Sequence, residues 1–90
     1  MIQLSEVAME VLLETLKESG IDSDKGLRLG EDNDRFTLDP DSPRNNDRVI
    51  VHNDITLLIV DREFESKIGD ALIDVQTGLE EPRLIIRRKI

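Results

Sequence analysis

The sequence predicts an α+β fold, a single β-rich domain over residues 1–90 with mixed or antiparallel sheets. Two observations support this class. Apolar residues follow a helical period near the N-terminus, and from residue 26 onward they alternate with polar residues, as in strands. Strands and helices do not alternate regularly, as a parallel α/β sheet would require. Ninety residues can bury only a modest core.

The first element is an amphipathic helix, predicted over residues 5–19. Its apolar residues recur at the spacing of one helix face: Ala8, Val11, Leu12 and Leu16. Ser5 is suited to cap the N-terminus, and Glu6 favours the first turn electrostatically. Gly20 is suited to end the helix.

The remaining elements are mostly short strands. They are predicted over residues 27–29, 36–38, 48–51, 55–60, 72–75 and 84–87. Residues 55–60 are apolar on both faces except at Thr56, which predicts an interior strand. His52, Asn53 and Asp54 form a tight hairpin turn between two of the strands, and Asp61 caps a short helix over residues 62–67. The prolines in residues 39–47 predict a loop there, and residues 78–82 form a turn.

Short motifs distributed along the chain occur in the order of a known family. The stretch IQLSEVA at residues 2–8 is similar to the family's opening I-x-L-T-x-x-A, and GLRL at residues 26–29 is similar to its G-L-R-V/L strand. FTLD at residues 36–39, LLIVD at residues 57–61 and the Gly69 to Asp74 region follow in the same order. The chain thus resembles the HesB/IscA-like family, the A-type carriers of iron–sulfur cluster assembly. The resemblance implies two mixed sheets that form a flattened barrel with an N-terminal helix beside it.

The sequence departs from this family at its ligands. Family members have a cysteine in a glycine-rich loop between the first two strands and a Cys-Gly-Cys motif near the C-terminus. Here the corresponding stretches are GEDND at residues 30–34 and RRKI at residues 87–90, and the chain has no cysteine. This excludes disulfides, thiolate zinc sites, cysteine-ligated clusters and a cysteine nucleophile. No family ligand transfers to this chain, and we predict no cofactor.

The charge distribution bears on the partner class. The net charge of −8 opposes binding to nucleic acids and anionic membranes. A basic strip near the C-terminus carries +4 and leaves −12 on residues 1–82; it consists of Arg83, Arg87, Arg88 and Lys89. This strip is a candidate docking surface, although charge on an edge strand also prevents aggregation. The N-terminal stretch is unlike a signal peptide, so we expect a cytoplasmic protein.

An acidic stretch between the first two strands offers three oxygen ligands for a hard cation: Glu31, Asp32 and Asp34. The Asp-x-Asp start of a calcium loop is present, but Phe36 follows where a ligand belongs, and the glycine and bidentate glutamate of that motif are missing. A solvated turn is therefore the favoured interpretation. Asp39 and Asp41 form a weaker pair, since Pro43 follows them.

The sequence does not indicate an enzyme. His52 is the only histidine, and it lies at a hairpin tip with no convergent partner for acid–base or metal chemistry. The chain has no nucleophile elbow and no phosphate-binding glycine loop. We therefore expect a non-catalytic protein-interaction or adaptor module, with the homodimer that the family resemblance implies. The alternative is a small-molecule or cation-binding protein or enzyme that reuses the scaffold, with a site at residues 30–35 or 83–89.

Overall fold

The computed structural model describes residues 1–22, 24–33, 35–76 and 83–88. The elements in chain order are β1 (Ile2–Leu4), α1 (Glu6–Glu18), β2 (Gly26–Asp32), β3 (Arg35–Asp41), β4 (Asp47–His52), β5 (Ile55–Asp61), α2 (Arg62–Ile68), β6 (Ala71–Gln76) and β7 (Arg83–Arg88). This order confirms the predicted α+β class.

The strands form two mixed sheets. A three-stranded sheet has the order β1-β6-β7, and a four-stranded sheet has the order β3-β2-β5-β4. The β1–β6 and β2–β5 pairs are parallel, and the other pairs are antiparallel. Within the described part of the chain no strand pair joins the two sheets, so the flattened barrel implied by the resemblance is open here. Each sheet consequently keeps two free edges, β1 and β7 in one, β3 and β4 in the other.

The hydrophobic core lies between the two sheets and α1. It contains Ala8, Leu12 and Leu16 of α1 together with buried side chains of β1, β2, β5, α2 and β6. The Ser5 hydroxyl accepts a hydrogen bond from the Ala8 N–H at 3.1 Å, which confirms Ser5 as the N-cap of the helix. The structure also shows that β1, which the sequence analysis missed, buries Ile2 and Leu4 beside β6.

The β2–β3 hairpin is longer than predicted. Residues 30–32 continue β2 and Arg35 begins β3, so the predicted loop over residues 30–35 is wrong in these positions. The predicted loop at residues 39–47 is likewise wrong at its start, because β3 extends to Asp41 through Pro40. An edge strand tolerates this proline, since its missing N–H would face away from the sheet.

The second half of the chain follows the predictions closely. Asn53 and Asp54 turn between β4 and β5 with φ of 51° and 63°, the positive values expected of a two-residue hairpin turn. β5 is an interior strand with Leu57 to Val60 fully buried. The Asp61 carboxylate accepts from the Glu63 N–H at 2.9 Å and so caps α2. The turn predicted at residues 78–82 lies outside the described residues.

Candidate functional site: an apolar cleft between two sheet edges

An apolar cleft of about 560 Å³ opens into the core between the two sheets. Six of the nine elements contribute to its wall, and among the described residues every lining side chain is aliphatic or aromatic: Leu12, Leu29, Phe36, Leu38, Leu58, Ile73, Leu84 and Ile86. Interiors of well-packed proteins contain few voids larger than a water molecule. The cleft is thus a feature of the architecture and not a packing defect of ordinary size.

The exposure of the lining side chains shows where the cleft opens. Its floor consists of side chains that are at most 4% exposed: Leu12, Leu29, Leu58 and Ile73. Its rim consists of half-buried Leu38, Leu84 and Ile86 and of Phe36, which is 36% exposed. All four rim residues belong to β3 or β7, the free edges of the two sheets on this side. The mouth therefore lies where hydrogen bonding between β3 and β7 would have closed a barrel.

The two aromatic side chains meet beside the cleft. The rings of Phe36 and Phe64 lie edge to face, with centroids 6.5 Å apart and planes at 68°. Such pairs add roughly 0.5–1.5 kcal/mol to the stability gained from area burial alone. The contact ties the rim of the cleft at β3 to helix α2.

The opposite pair of free edges, β1 and β4, is joined through an ion pair between Arg48 of β4 and Glu65 of α2. The Arg48 Nε donates to the Glu65 carboxylate at 2.8 and 3.0 Å, and the Arg48 guanidinium also donates to the Ile2 carbonyl. Glu65 in turn accepts from the Ile2 N–H at 2.9 Å. The hydrogen bonds from Arg48 lower the pKa of Glu65, with burial opposing the shift and the Ile2 N–H adding to it. The gap between β1 and β4, the β1–β4 seam, is thus closed by side chains, whereas the gap between β3 and β7, the β3–β7 seam, is open.

A second polar cluster fixes the segment between β3 and β4. Arg28 donates to both oxygens of Asp47 at 2.9 and 2.7 Å and to Asp41 at 2.6 Å. The Asp47 side chain is 2% exposed, and its oxygen also accepts from the Arg44 N–H at 2.7 Å. The hydrogen bonds from Arg28 lower the pKa of Asp47 to about 2, against the opposing effect of burial. Both carboxylate oxygens of Asp41 and of Asp47 accept hydrogen bonds from within the protein, so the cluster is structural.

Two of the three candidate cation ligands, Glu31 and Asp32, are neighbours at the end of β2. Glu31 pairs with Phe36 across the hairpin and Asp32 with Arg35. Because consecutive residues of a strand point to opposite faces, the two exposed carboxylates diverge. Asp34 lies outside the described residues. Within residues 1–22, 24–33, 35–76 and 83–88, no group of three or more His, Cys, Asp or Glu side chains is placed to hold a metal ion.

The predicted basic strip lies on β7, a free edge of the three-stranded sheet. Arg87 is exposed and pairs with Leu72 of β6, and its charge is the smallest of the influences that lower the pKa of Asp74. The main causes of that shift are the hydrogen bonds to Asp74 from the Val75 N–H and then from the Ser5 hydroxyl. Arg83 and Arg88 begin and end the strand, whereas Lys89 lies outside the described residues.

His52 is the last residue of β4 and pairs with Ile55 next to the turn. Among the described residues, none forms a hydrogen bond or ion pair with the His52 side chain that would orient it as a base. Neither helix of the described chain has the length and apolar character needed to cross a bilayer; the longer, α1, has 13 residues.

Comparison with solved structures identifies the architecture. The chain is similar to Escherichia coli SufA, described as involved in the biosynthesis of iron–sulfur clusters, with a TM-score of 0.76 and 19% identity over 97% of this chain and 84% of that one. It is also similar to IscA with a 2Fe–2S cluster, with a TM-score of 0.61 and 15% identity over 98% and 85% of the two chains. The chain has the HesB/IscA-like fold.

Neither a family model nor a curated protein matches the sequence. The fold therefore rests on structure and on the ordered motifs, and the complete lack of cysteine marks this chain as divergent among HesB/IscA-like folds. The sequence alone did not predict the cleft. The usable signals were the apolar alternation of FTL at residues 36–38 and the apolar run LII at residues 84–86, although neither reveals that the two strands face one another.

Proposed function

We propose that this protein is a non-catalytic interaction or adaptor module on the A-type carrier fold, which does not hold an iron–sulfur cluster with its own side chains. One observation carries the proposal: the HesB/IscA-like fold occurs here in a chain with no cysteine. Clusters are held in proteins mainly by soft thiolate ligands. We further propose that the protein acts in the cytoplasm.

The charge asymmetry supports docking through the β7 edge. Residues 83–90 carry +4 and residues 1–82 carry −12. A basic strip on a free strand edge complements an acidic surface, either on a partner protein or on the body of a second copy of this chain. In either arrangement the strip would favour orientation and association rate more than raw affinity.

The proposed lack of cluster binding is tested by anaerobic reconstitution. The purified chain is incubated with ferrous iron, sulfide and a thiol reductant beside Escherichia coli SufA as the positive control, then desalted. We expect visible absorption and bound iron in SufA and neither in this chain. Retention of stoichiometric iron and sulfide by this chain would overturn the proposal, because non-thiolate ligands would then suffice.

The docking surface is tested by charge neutralisation with a matched control. One variant changes the strip residues Arg83, Arg87, Arg88 and Lys89 to Gln. The control changes four exposed cations elsewhere to Gln: Lys17, Lys25, Arg62 and Lys67. Both variants lose four positive charges, so a difference between them reports position and not net charge.

Each variant is used as tagged bait in its native host, and its self-association is measured by analytical ultracentrifugation. We expect the strip variant to lose a captured protein or its own oligomer and the control to keep it. Recovery of cluster-assembly proteins would place the adaptor in that process. Equal capture and equal mass for both variants would contradict docking through β7.

A further inference from the structure

We propose that the cleft between β3 and β7 binds one uncharged, largely apolar small molecule. This inference goes beyond the proposed adaptor role and requires that any partner docked on the β7 edge leaves the mouth of the cleft open. The volume of about 560 Å³ lies within the range of roughly 300–1,000 Å³ typical of small-molecule pockets. The walls come from both sheets and from α1, so a molecule in the cleft would contact both sheets and the helix.

The lining defines the polarity of the ligand. The described side chains that line the cleft are all apolar, and no described side-chain nitrogen or oxygen is buried without a hydrogen-bond partner. A bound water needs two or more polar partners, and the described side chains of the cleft would not replace the hydration that a polar ligand loses. These side chains therefore offer a ligand apolar contacts alone, and any hydrogen bond in the cleft would involve backbone groups of its walls.

On the β2–β3 side of the mouth, Glu31 argues against an anionic ligand such as a fatty acid, and on the other side Arg87 alternates with Ile86 and so belongs to the opposite face of β7. Glu31 is directly opposite Phe36 in the antiparallel β2–β3 register, and opposite residues share a face of the sheet. The Glu31 carboxylate thus lies on the face of the hairpin that forms the cleft, one strand pair beyond Leu29. A carboxylate headgroup at this end would meet like charge, and the body of the protein is strongly acidic.

The strands that border the mouth are unsuited to pairing with a peptide strand or with the same edge of a second copy. Pro40 removes a backbone donor from β3, and arginines occupy three of the six positions of β7. Proline and charge are the means by which edge strands avoid pairing with other chains. Two copies placed β7 to β7 would also bring like charges together. A small molecule enters between these edges without using their backbone groups.

The ligand class is tested with two fluorescent probes that share a ring system. Phenylnaphthylamine is uncharged, whereas anilinonaphthalene sulfonate is its anionic counterpart. We expect saturable fluorescence enhancement of the uncharged probe at one site per chain, at least about tenfold tighter than the sulfonate. Decanol should displace the probe and decanoate should not. Absent binding of the uncharged probe, or equal binding of both probes, would overturn the proposal.

The location is tested by filling the cleft from its rim. Leu84→Trp and, on the opposite strand, Leu38→Trp each place an indole at the mouth. Val51→Trp is the matched control, since Val51 is 55% exposed on β4 and is not part of the cleft. We expect both rim variants to weaken the probe at least about tenfold and the control to leave it unchanged. Unchanged affinity in a folded rim variant would contradict the assignment.

Methyl NMR of the unaltered protein removes any dependence on variants. Addition of phenylnaphthylamine should shift the methyl signals of the floor residues and leave Leu16 and Ile21, which line a different surface depression, in place. The reverse pattern would place the probe elsewhere and refute the proposal. Concentration-dependent shifts of the Leu84 and Ile86 methyls without probe would also refute it, because a second copy would then cover the mouth.

Discussion

The Arg28 cluster permits a quantitative test of what holds the β3–β4 connection in place. Arg28→Met keeps most of the side-chain length but removes the two hydrogen bonds to Asp47 and the one to Asp41. Asp47 then keeps one described donor, the Arg44 N–H at 2.7 Å, in a position where its side chain is 2% exposed. The variant consequently leaves a buried carboxylate largely without compensation.

The pKa of Asp47 sets the size of the effect. Its lowering from 3.8 to about 2 corresponds to about 2 kcal/mol in favour of the ionised form, at about 1.36 kcal/mol per pH unit. Loss of one partner from a fully buried ion pair costs about 3–5 kcal/mol, but the Arg28 side chain is 20% exposed and water can partly replace it. We therefore expect Arg28→Met to lower the free energy of unfolding by about 2–3 kcal/mol at neutral pH.

Urea unfolding followed by far-UV circular dichroism measures this loss, since the chain has no Trp or Tyr for fluorescence. The control is Arg44→Met: the Arg44 side chain is 74% exposed and 3.5 Å from Asp41, a contact worth about 0–1 kcal/mol. Because folding lowers the pKa of Asp47, its contribution is present above pH 3.8 and is lost as the pH falls through about 2. The difference in free energy of unfolding between wild type and Arg28→Met should therefore shrink as the pH falls from 3.8 to about 2.

Two results would refute this reasoning. The first is a loss for Arg28→Met no larger than that for Arg44→Met, which would show that the buried geometry contributes nothing beyond a surface pair. The second is a difference between wild type and Arg28→Met that is unchanged from neutral pH to pH 2. That result would assign the loss to packing of the side chain and not to the charge of Asp47.

Three further predictions concern the seams and turns of the fold. Glu65→Ala removes the acceptor of the Ile2 N–H, so amide exchange at Ile2 should accelerate by about tenfold or more. Gly26→Ala should cost about 1–3 kcal/mol of unfolding free energy, because its Cβ would lie 2.7 Å from a methyl group and 3.0 Å from a backbone carbonyl of β5. Gly30→Ala, the matched control, meets only a hydroxyl at 3.0 Å and should cost less. Asp61→Ala removes the α2 cap and should cost about 1 kcal/mol in urea unfolding.

Each of these has a contrary outcome. Unchanged exchange in Glu65→Ala would mean that pairing with β6 alone holds β1. Equal losses for the two glycine variants would indicate that steric contact is not what Gly26 avoids. An undiminished stability of Asp61→Ala would show that packing of α2 against the core outweighs its cap.

Local patterns predicted most elements because the relevant physics is local. The apolar stripe and the Ser5 cap specify α1, and Asn53 and Asp54 accept the positive φ of their turn at little steric cost. β1 escaped prediction because three residues are too few to show a period. Pro40 was misinterpreted as a loop signal because only the sheet order reveals that β3 is an edge strand.

The site features depended on contacts that sequence spacing does not encode. Arg28 and Asp47 are 19 residues apart, and Arg48 and Glu65 are 17 apart, with each pair formed only when the four-stranded sheet and α2 are in place. In a chain with twenty carboxylates, spacing cannot select the two that become buried partners. The cleft was invisible for a related reason, since its two rim strands belong to different sheets.

The β1–β4 seam is closed and the β3–β7 seam is open because different side chains face the two gaps between the sheets. At the β1–β4 seam, Arg48 and Glu65 satisfy both backbone groups of Ile2, so the gap between the sheets is bridged by charged hydrogen bonds that are strong when partly buried. At the β3–β7 seam the described inward side chains are aliphatic or aromatic and offer no such bridge. Apolar side chains can close this gap only by contact, and the sheets hold the rim too far apart for the eight lining residues to fill the space. The same residue types that build the core thus leave an accessible cleft. An apolar ligand in this cleft would bury the lining side chains that the protein itself leaves partly exposed.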